Sequence, residues 1–284
     1  MESGQLTDQE TWDIELWNVI MGGWSAHIDY LEQALQNGAN VAKVLHGTSP
    51  LCLQLCSVNV QESKVELLVK YGAKSKDTTE EKKMFRTYIQ NFKPGMLQFL
   101  FDKGVFEYLE IEDFTFALHY LAKTCQPHSV HFLRICIFKA IAVGIDVHEV
   151  MTSIDSYGKT LIHNAVNGTG QERRPAMIRV LIMNGADSQQ QDRQGHTPEE
   201  CAIIIKSNTR QKMKHSIHTN WLCPGSNEII SVLQENRVKL EKIAEQRRIA
   251  FAMGQHDHLG SGSILNSLHP ELMSEMFYAY NAST

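Results

Sequence analysis

The sequence has no long hydrophobic run, no excess of basic residues and no ordered set of cysteines. No apolar stretch approaches the roughly 18 residues that suggest a bilayer span. The 284 residues carry a net charge of -5, which does not favour binding to nucleic acid or to an anionic membrane. The six cysteines are scattered without a Cys-x-x-Cys pair, a usage that predicts buried, reduced thiols. Because the acidic N-terminus lacks the basic and apolar regions of a signal peptide, we expect a chain that acts in a cytosol.

The sequence also lacks recognisable catalytic motifs. The sequence has no paired carboxylates, no nucleophile elbow and no phosphate loop, and its stretches "MGGW" and "GSGS" are too short for a dinucleotide fingerprint. Its composition, 43% hydrophobic and 21% charged, is that of an ordinary folded protein. The sequence therefore predicts a protein that is not an enzyme and binds no cofactor.

A pattern in two parts recurs along the chain. The first part is an apolar run that ends in a glycine and a small or apolar residue, at Gly38, Gly72, Gly104, Gly144 and Gly185. The second part is a helix start such as "GTSPLCLQL" or "GKTLIHNAV", with weaker copies at "FTFALHYLA" and "GHTPEECA". Recurrence at intervals of 32 to 41 residues is typical of a solenoid of helix-turn-helix units.

These residues resemble the ankyrin repeat. "GKTLIHNAV" and "VLIMNGAD" follow that family's Gly-x-Thr-Pro-Leu-His and Leu-Leu-x-x-Gly-Ala-Asp pattern, and "TSPLCLQL" follows it with Cys52 in the histidine position. The resemblance implies an all-α solenoid of about five or six repeats over residues 14–236. It implies a helical N-terminal cap over 1–30, which contains Trp12, Trp17 and Trp24, and a helical C-terminal extension over 237–284. It also implies that His119 and His163 are structural residues that hydrogen-bond neighbouring repeats.

Four segments depart from the pattern. Residues 77–104 keep the helix spacing without the Thr-Pro-Leu-His start, which indicates a degenerate repeat. Residues 122–132, 166–176 and 206–227 are predicted to be enlarged loops between the two helices of their repeats. Loops longer than the usual ~4–6 residues are often functional, so the three together could form a recognition rim. Tolerated surface insertions explain them equally well.

The resemblance implies a protein partner and no chemical reaction. We expect a monomer that binds through the concave face of the stack, the turn tips and the enlarged loops. The candidate contact residues in this region are Asn40, Lys76, Arg173, Arg174 and Gln189.

One constellation supports a different function, a metal-dependent enzyme with a site in residues 206–258. Cys201, His215, His218 and Cys223 have the donor atoms that zinc prefers, with His256 and His258 further along the chain. Their spacings do not match Cys-x2-Cys or His-x3-5-His. A solvated, somewhat basic loop is the alternative interpretation, and we therefore predict no metal site.

The C-terminal segment "LNSLHPELMSEMFYAY" predicts a separate amphipathic helix. It is similar to the opening of an F-box, with candidate contacts at Leu268, Leu272 and Phe277, which would make the chain a substrate adaptor that binds a ubiquitin-ligase scaffold subunit. The alternative is a tail that covers the last repeat, as every solenoid end requires. Truncated ends of this kind occur on ankyrin proteins of some viruses and intracellular parasites, so a pathogen effector in a host cytosol is a further hypothesis.

Overall fold

The computed structural model describes residues 7–22, 28–57, 60–91, 96–169, 173–213 and 225–254. Within these ranges the secondary structure is helical, and the extended pairings are the isolated bridges Leu45–Thr48 and Ile154–Thr160. The helices are α1 Asp8–Met21, α2 Ile28–Gln36, α3 Pro50–Leu55, α4 Glu62–Lys70, α5 Thr78–Asn91, α6 Met96–Asp102, α7 Ile111–Thr124, α8 Ser129–Ala142, α9 Val147–Thr152, α10 Leu161–Asn167, α11 Arg174–Met183, α12 Pro198–Met213 and α13 Ser226–Gly254.

Four pairs of successive helices pack against each other: α1 with α2, α3 with α4, α7 with α8, and α10 with α11. Each of α1, α3, α5, α7, α10 and α12 contacts the next one in that series, and these first helices form one row. In the second row α2 contacts α4, α6 contacts α8, and α8 contacts α11. The short helix α9 stands between two repeats and contacts α7 and α8. This arrangement confirms the expected all-α, ankyrin-type repeat fold.

The second helix of five successive repeats ends in the same way. Gly38, Gly72, Gly104, Gly144 and Gly185 all have positive φ angles. At Gly185, where φ is +95°, the Gly185 N–H donates to Ile182 and the Ala186 N–H donates to Leu181, both at 3.0 Å. This pair of bonds is a Schellman motif, and residues with a Cβ adopt its left-handed position at a cost. The recurring glycines therefore fix where each second helix stops.

The first helices that retain the repeat pattern begin at side-chain caps. Ser49 accepts a hydrogen bond from the Cys52 N–H at 3.2 Å, and Pro50 occupies the first helical position of α3. Thr160 accepts from the His163 N–H at 3.4 Å. Each hydroxyl satisfies a backbone donor that has no partner inside its helix, which stabilises the start by about 1 kcal/mol.

Buried carboxylates connect the repeats that lack the Thr-Pro-Leu-His start. Asp13 accepts from the Asn40 N–H at 2.7 Å, Glu80 from the Ser49 N–H at 2.8 Å, and Glu81 from the Tyr108 N–H at 2.6 Å. Asp113 forms an ion pair with Arg86 of the preceding repeat, at 2.8 Å. These bonds join residues 27 to 31 positions apart, so they hold successive repeats in register. The degenerate repeat at 77–104 therefore stacks by a different set of polar contacts.

The hydrophobic core is continuous through the stack and is aromatic in the degenerate repeat. Phe85 lies 5.3 Å from Phe106, 5.9 Å from Phe114 and 6.0 Å from Phe101, measured between ring centroids. Edge and tilted contacts of this kind stabilise beyond the area they bury, by about 0.5–1.5 kcal/mol each. In the N-terminal unit Trp17 is buried and Trp12 is half-buried against the core, whereas Trp24 lies outside the described residues.

The predicted enlarged loop at 122–132 is wrong. Helix α7 continues to Thr124 and α8 begins at Ser129, so a short turn joins them. Cys125 ends α7 in a left-handed conformation, with φ of 45°, and the connection to α8 is only residues 125–128. In the segment 206–227, α12 continues to Met213 and residues 214–224 lie outside the described residues. In the segment 166–176, α10 continues to Asn167 and α11 begins at Arg174.

The chain divides into two compact units, Met1–Leu233 and Gln234–Thr284. The described part of the second unit is helical as far as Gly254. No helix among the described residues is both long enough and apolar enough to cross a membrane.

Candidate partner-binding groove

A groove of about 430 Å³ opens on the row of first helices. Helices α5 and α7 provide one part of its lining, and α9 with the following turn provides the other. Its lining residues are Arg86, Ile111, Glu112, Thr115, Phe116, His119, Glu149, Ser153, Ile154, Asp155 and Ser156. This volume is within the range of small-molecule and side-chain binding sites.

One wall of the groove is the half-buried Phe116 ring. The guanidinium carbon of Arg86 lies 5.3 Å from the Phe116 centroid, and the Tyr120 ring stacks beside Phe116 at 6.2 Å with an interplanar angle of 18°. Arg86 also donates to the buried Asp113 carboxylate from Nε at 2.9 Å and from Nη2 at 2.8 Å. Since Asp113 neutralises its charge and the aromatic ring covers its face, Arg86 acts as part of the wall.

The floor of the groove is a chain of four hydrogen-bonded side chains. Ser153 Oγ lies 3.0 Å from His119 Nε2, and Asn164 Nδ2 lies 2.9 Å from His119 Nδ1. The same Asn164 nitrogen donates to Asp155 Oδ2 at 3.0 Å. The other Asp155 oxygen accepts the N–H groups of Tyr157 and Lys159, both at 2.9 Å. A serine, a histidine, an amide and a carboxylate in sequence resemble the parts of a hydrolytic triad, so the direction of each bond decides what they can do.

The Asp155 carboxylate determines that direction. It can only accept, so it holds the NH2 group of Asn164 toward itself and toward His119. His119 Nδ1 must then be the acceptor, and its Nε2–H donates to Ser153, whose hydroxyl donates to the Val150 carbonyl at 2.6 Å. A general base needs an unprotonated nitrogen facing the serine. The groove floor therefore holds His119 in the tautomer that cannot activate Ser153.

Burial favours the neutral form of both repeat histidines, His119 and His163. Desolvation lowers the pKa of His119, and the nearby Asp155 carboxylate opposes this shift. Desolvation likewise lowers the pKa of His163. His163 Nδ1 lies 2.8 Å from Thr160 Oγ1, and its Nε2 donates to the His196 carbonyl of the next repeat at 2.9 Å. The prediction that these histidines are structural and connect neighbouring repeats is confirmed for His163, and His119 joins α7 to the turn at Ser153.

The rim of the groove combines acidic and apolar side chains. Glu112 and Glu149 are exposed, and both line the groove. Ile154 is 51% exposed and adds apolar surface to the rim. Asp155 is occupied by its three donors, and Arg86 is paired with Asp113. The two glutamates therefore set the charge that a ligand meets, which is negative.

A second cluster brings together His163, Asp192 and Cys201, whose candidate ligand atoms lie within 4.8 Å of one another. His163 uses both ring nitrogens in hydrogen bonds, and Asp192 Oδ1 accepts the N–H groups of Gln194 at 2.8 Å and His196 at 3.1 Å. Burial raises the pKa of the Cys201 thiol, so the thiol stays protonated. These bonds make the cluster a hydrogen-bonded part of the stack. The predicted ligands His215, His218 and Cys223, with His256 and His258, lie outside the described residues.

The five predicted contact residues within the described repeats are distributed along the stack, and none of these five lines the groove. Asn40 is exposed in a turn, where its side chain accepts the Ala42 N–H at 2.9 Å. Lys76 donates from Nζ to the Gly47 carbonyl of the preceding repeat. Arg173 is exposed and Gln189 is half-buried.

The structure contradicts the assignment of Arg174 as a contact residue. Arg174 is only 6% exposed and donates from Nη1 to the Val166 carbonyl at 2.9 Å, so it fastens the end of α10. The tail residues Leu268, Leu272 and Phe277 lie outside the described residues, and their role stays a prediction.

Sequence reasoning missed the carboxylates that orient the histidine network. Asp155 and Asp192 occupy equivalent positions in "DSYGKT" and "DRQGHT". Each accepts backbone N–H groups of its own turn and lies beside a repeat histidine. The recurrence of Asp-x-x-Gly-x-Thr would have identified both. No comparable signal identifies Glu112, Phe116 or Glu149, because the groove forms only when α7 and α9 meet.

No protein-family model matches the sequence, and no curated protein matches it. Among solved structures, the chain is similar to the crystal structure of the ankyrin repeat protein EF0377. The superposition covers 78% of this chain and 95% of that protein, with 16% sequence identity and a TM-score of 0.41. The structure itself shows the repeats. Five second helices end at equivalent glycines, first helices begin at side-chain caps, and polar bonds connect neighbouring repeats. The chain is built of ankyrin-like repeats.

Proposed function

We propose that the chain is a non-enzymatic recognition module whose groove binds a segment of a partner protein. The segment would carry a lysine or arginine side chain next to an aliphatic one. The observation that carries this proposal is the composition of the groove, which is lined by two exposed glutamates, Glu112 and Glu149, together with the apolar side chains of Phe116 and Ile154.

Charge complementarity determines the kind of segment. A cationic side chain between the two glutamates would gain attraction from both, and opposite charges across an interface raise specificity and the association rate. An aliphatic neighbour would cover Ile154, whose exposure otherwise leaves apolar surface in water. Nucleic acid and anionic lipid carry the same negative charge as this rim and would be repelled from it.

The rigidity of the groove supports a binding role. Its wall is held by the Arg86–Asp113 pair and its floor by the Ser153–His119–Asn164–Asp155 chain. A site whose side chains are already fixed loses little conformational entropy when a ligand binds. The same hydrogen bonds hold His119 in the inactive tautomer, which supports recognition over catalysis.

The direct test is selection from a phage-displayed library of random peptides on the full chain. We expect enrichment of peptides with lysine or arginine beside an aliphatic residue. One enriched peptide, labelled with a fluorophore, would then be titrated against the wild type and variants by anisotropy. Glu112→Lys and Glu149→Lys should each weaken binding by about tenfold, equivalent to ~1.4 kcal/mol, and added salt should weaken the wild-type complex.

Glu66→Lys is the matched control, since Glu66 is exposed on α4 in the other row of helices. It makes the same charge change and should leave the affinity unaltered. Enriched peptides without a basic residue would refute the proposed occupant. Equal binding to the Glu112→Lys and wild-type chains would refute the groove as the site.

A cytosolic site of action, in the chain's own cell or in a host cell as an effector, remains a prediction. The same holds for the ubiquitin-ligase alternative, which depends on the tail.

A further inference from the structure

Two cysteines on the row of first helices lie close together. Cys52 Sγ and Cys56 Sγ are 3.7 Å apart, on successive turns of α3. Cys52 is 1% exposed, whereas Cys56 is half-buried and partly open to solvent. We propose that Cys52 and Cys56 form a dithiol site that a peroxide converts into a disulfide, with Cys56 as the attacking thiol and Cys52 as the resolving thiol.

The bond needs a local backbone change at the end of α3. Residues four apart in a helix have Cα atoms about 6 Å apart, within the range found in disulfides, but their Cβ atoms are about 5–6 Å apart, beyond the ~3.5–4.5 Å that a disulfide allows. Cys56 is the capping residue that directly follows α3, and its N–H donates to the Cys52 carbonyl at 2.9 Å. Formation of the disulfide therefore breaks this hydrogen bond and opens the last turn of α3, which confines the change to the end of one short helix.

The surroundings of Cys56 favour its thiolate. When Cys56 is ionised, the Cys52 thiol donates a hydrogen bond to it. This bond, with Thr87 and the exposed Lys83 of the neighbouring helix α5, lowers the pKa of Cys56 to about 7. Burial and the Glu80 carboxylate act in the opposite direction, as does the carbonyl end of α3. The same contact with Cys56 raises the pKa of Cys52, which therefore keeps its proton.

The reaction has two steps. In the first, the Cys56 thiolate attacks one oxygen of hydrogen peroxide, the S–O bond forms, the O–O bond breaks and hydroxide leaves. The product is a sulfenic acid, in which sulfur has lost two electrons to the peroxide. In the second, Cys52 sulfur attacks Cys56 sulfur, the S–S bond forms, the S–O bond breaks, and the Cys52 proton leaves with the hydroxyl group as water.

Peptide mapping of the full chain tests the proposal. The folded protein is treated with hydrogen peroxide, its remaining thiols are blocked under denaturing conditions, and it is digested with trypsin. Cleavage after Lys43 and Lys64 yields one peptide that contains Cys52 and Cys56 as its only cysteines. We expect this peptide to lose two hydrogens and to regain them with a reductant. Cys125 and Cys136, both buried, should stay unoxidised in the same sample and serve as internal controls.

Two variants assign the roles. In Cys52→Ala the sulfenic acid on Cys56 should persist and react with dimedone, and in Cys56→Ala the peptide should remain unmodified. Circular dichroism establishes that each variant is folded. The disulfide in the wild-type peptide is measured independently of both variants, so the proposal can be tested even if a variant does not fold. A peptide that stays reduced while other cysteines oxidise would overturn the site. Oxygen on Cys52 in the Cys56→Ala chain would overturn the assignment of the attacking thiol.

The rate of alkylation provides a second readout. At pH 7 a thiol with a pKa of about 7 is half ionised, against ~3% for an ordinary cysteine, but its lower nucleophilicity offsets much of this gain. We therefore expect iodoacetamide to modify Cys56 about threefold faster at pH 7 than an unperturbed thiol of equal exposure, with a midpoint of the pH profile near 7. A midpoint near 9 would overturn the role of Cys56 as the reactive thiol.

Discussion

Mild acid should destabilise this fold through two histidines that are buried as neutral rings. His163 is fully buried and His119 is 8% exposed, and each uses both ring nitrogens in hydrogen bonds. Protonation of His119 would place an N–H against the Asn164 amide, which cannot rotate because Asp155 holds it. The Thr160 hydroxyl beside His163 can rotate, so there the cost of protonation comes from burial.

The direction follows from the lowered pKa of both groups. In the unfolded chain each histidine takes up a proton near pH 6.5, whereas in the folded chain it does so only at lower pH. The stabilisation that each neutral histidine gives is therefore fully present above pH 6.5. The free energy of unfolding falls as the pH decreases from 6.5 toward the pKa of the folded state. Each histidine can contribute at most about 1 kcal/mol per pH unit in this window. Two of them can remove at most ~2 kcal/mol between pH 6.5 and 5.5, a substantial share of a typical stability of ~5–15 kcal/mol.

Urea unfolding at several pH values between 7.5 and 5.5 measures the effect. His119→Gln and His163→Gln should each be less stable at pH 7.5, because hydrogen bonds are lost, and each should show about half of the wild-type pH dependence. Burial raises the pKa of Glu81, so this group has the opposite dependence. Its contribution is common to all three chains and cancels in the differences between them. A variant that keeps the full wild-type slope would refute the reasoning for its histidine.

Two further predictions concern the repeat ends. Gly185→Ala should lower the free energy of unfolding by about 1–2 kcal/mol, because a Cβ at Gly185 would meet no atom within 4 Å and only the left-handed backbone is strained. Gly185→Asn should cost less in the same urea assay, since asparagine tolerates that conformation, and equal costs would contradict this cause. Ser49→Ala should cost about 1–2 kcal/mol by removing a buried cap. Ser207→Ala, at an exposed helical position, should change stability by less than about 0.5 kcal/mol, and a similar loss in both would contradict the capping role.

The sequence by itself determined where five second helices end and where α3 and α10 begin. The glycines stop second helices because a left-handed turn favours a residue without a Cβ, and Ser49 and Thr160 start first helices because a hydroxyl satisfies a nearby N–H. These are local effects of a few residues, so they can be recognised in the sequence. The close approach of Cys52 and Cys56 is also local, because residues four apart share one face of a helix.

Only the tertiary structure decided how the degenerate repeats stack and where the groove lies. Asp13, Glu80, Glu81 and Asp113 are acidic residues that a sequence would place in water, yet each is buried and bonded to a residue 27 to 31 positions away. A buried carboxylate is stable only where a donor meets it, and that donor belongs to another repeat. Arg174 is buried where the Val166 carbonyl of the same repeat accepts its Nη1–H, a contact that forms only when α10 and α11 pack together. The groove needs α7 and α9 in contact, and that contact arises from the packing of the whole stack.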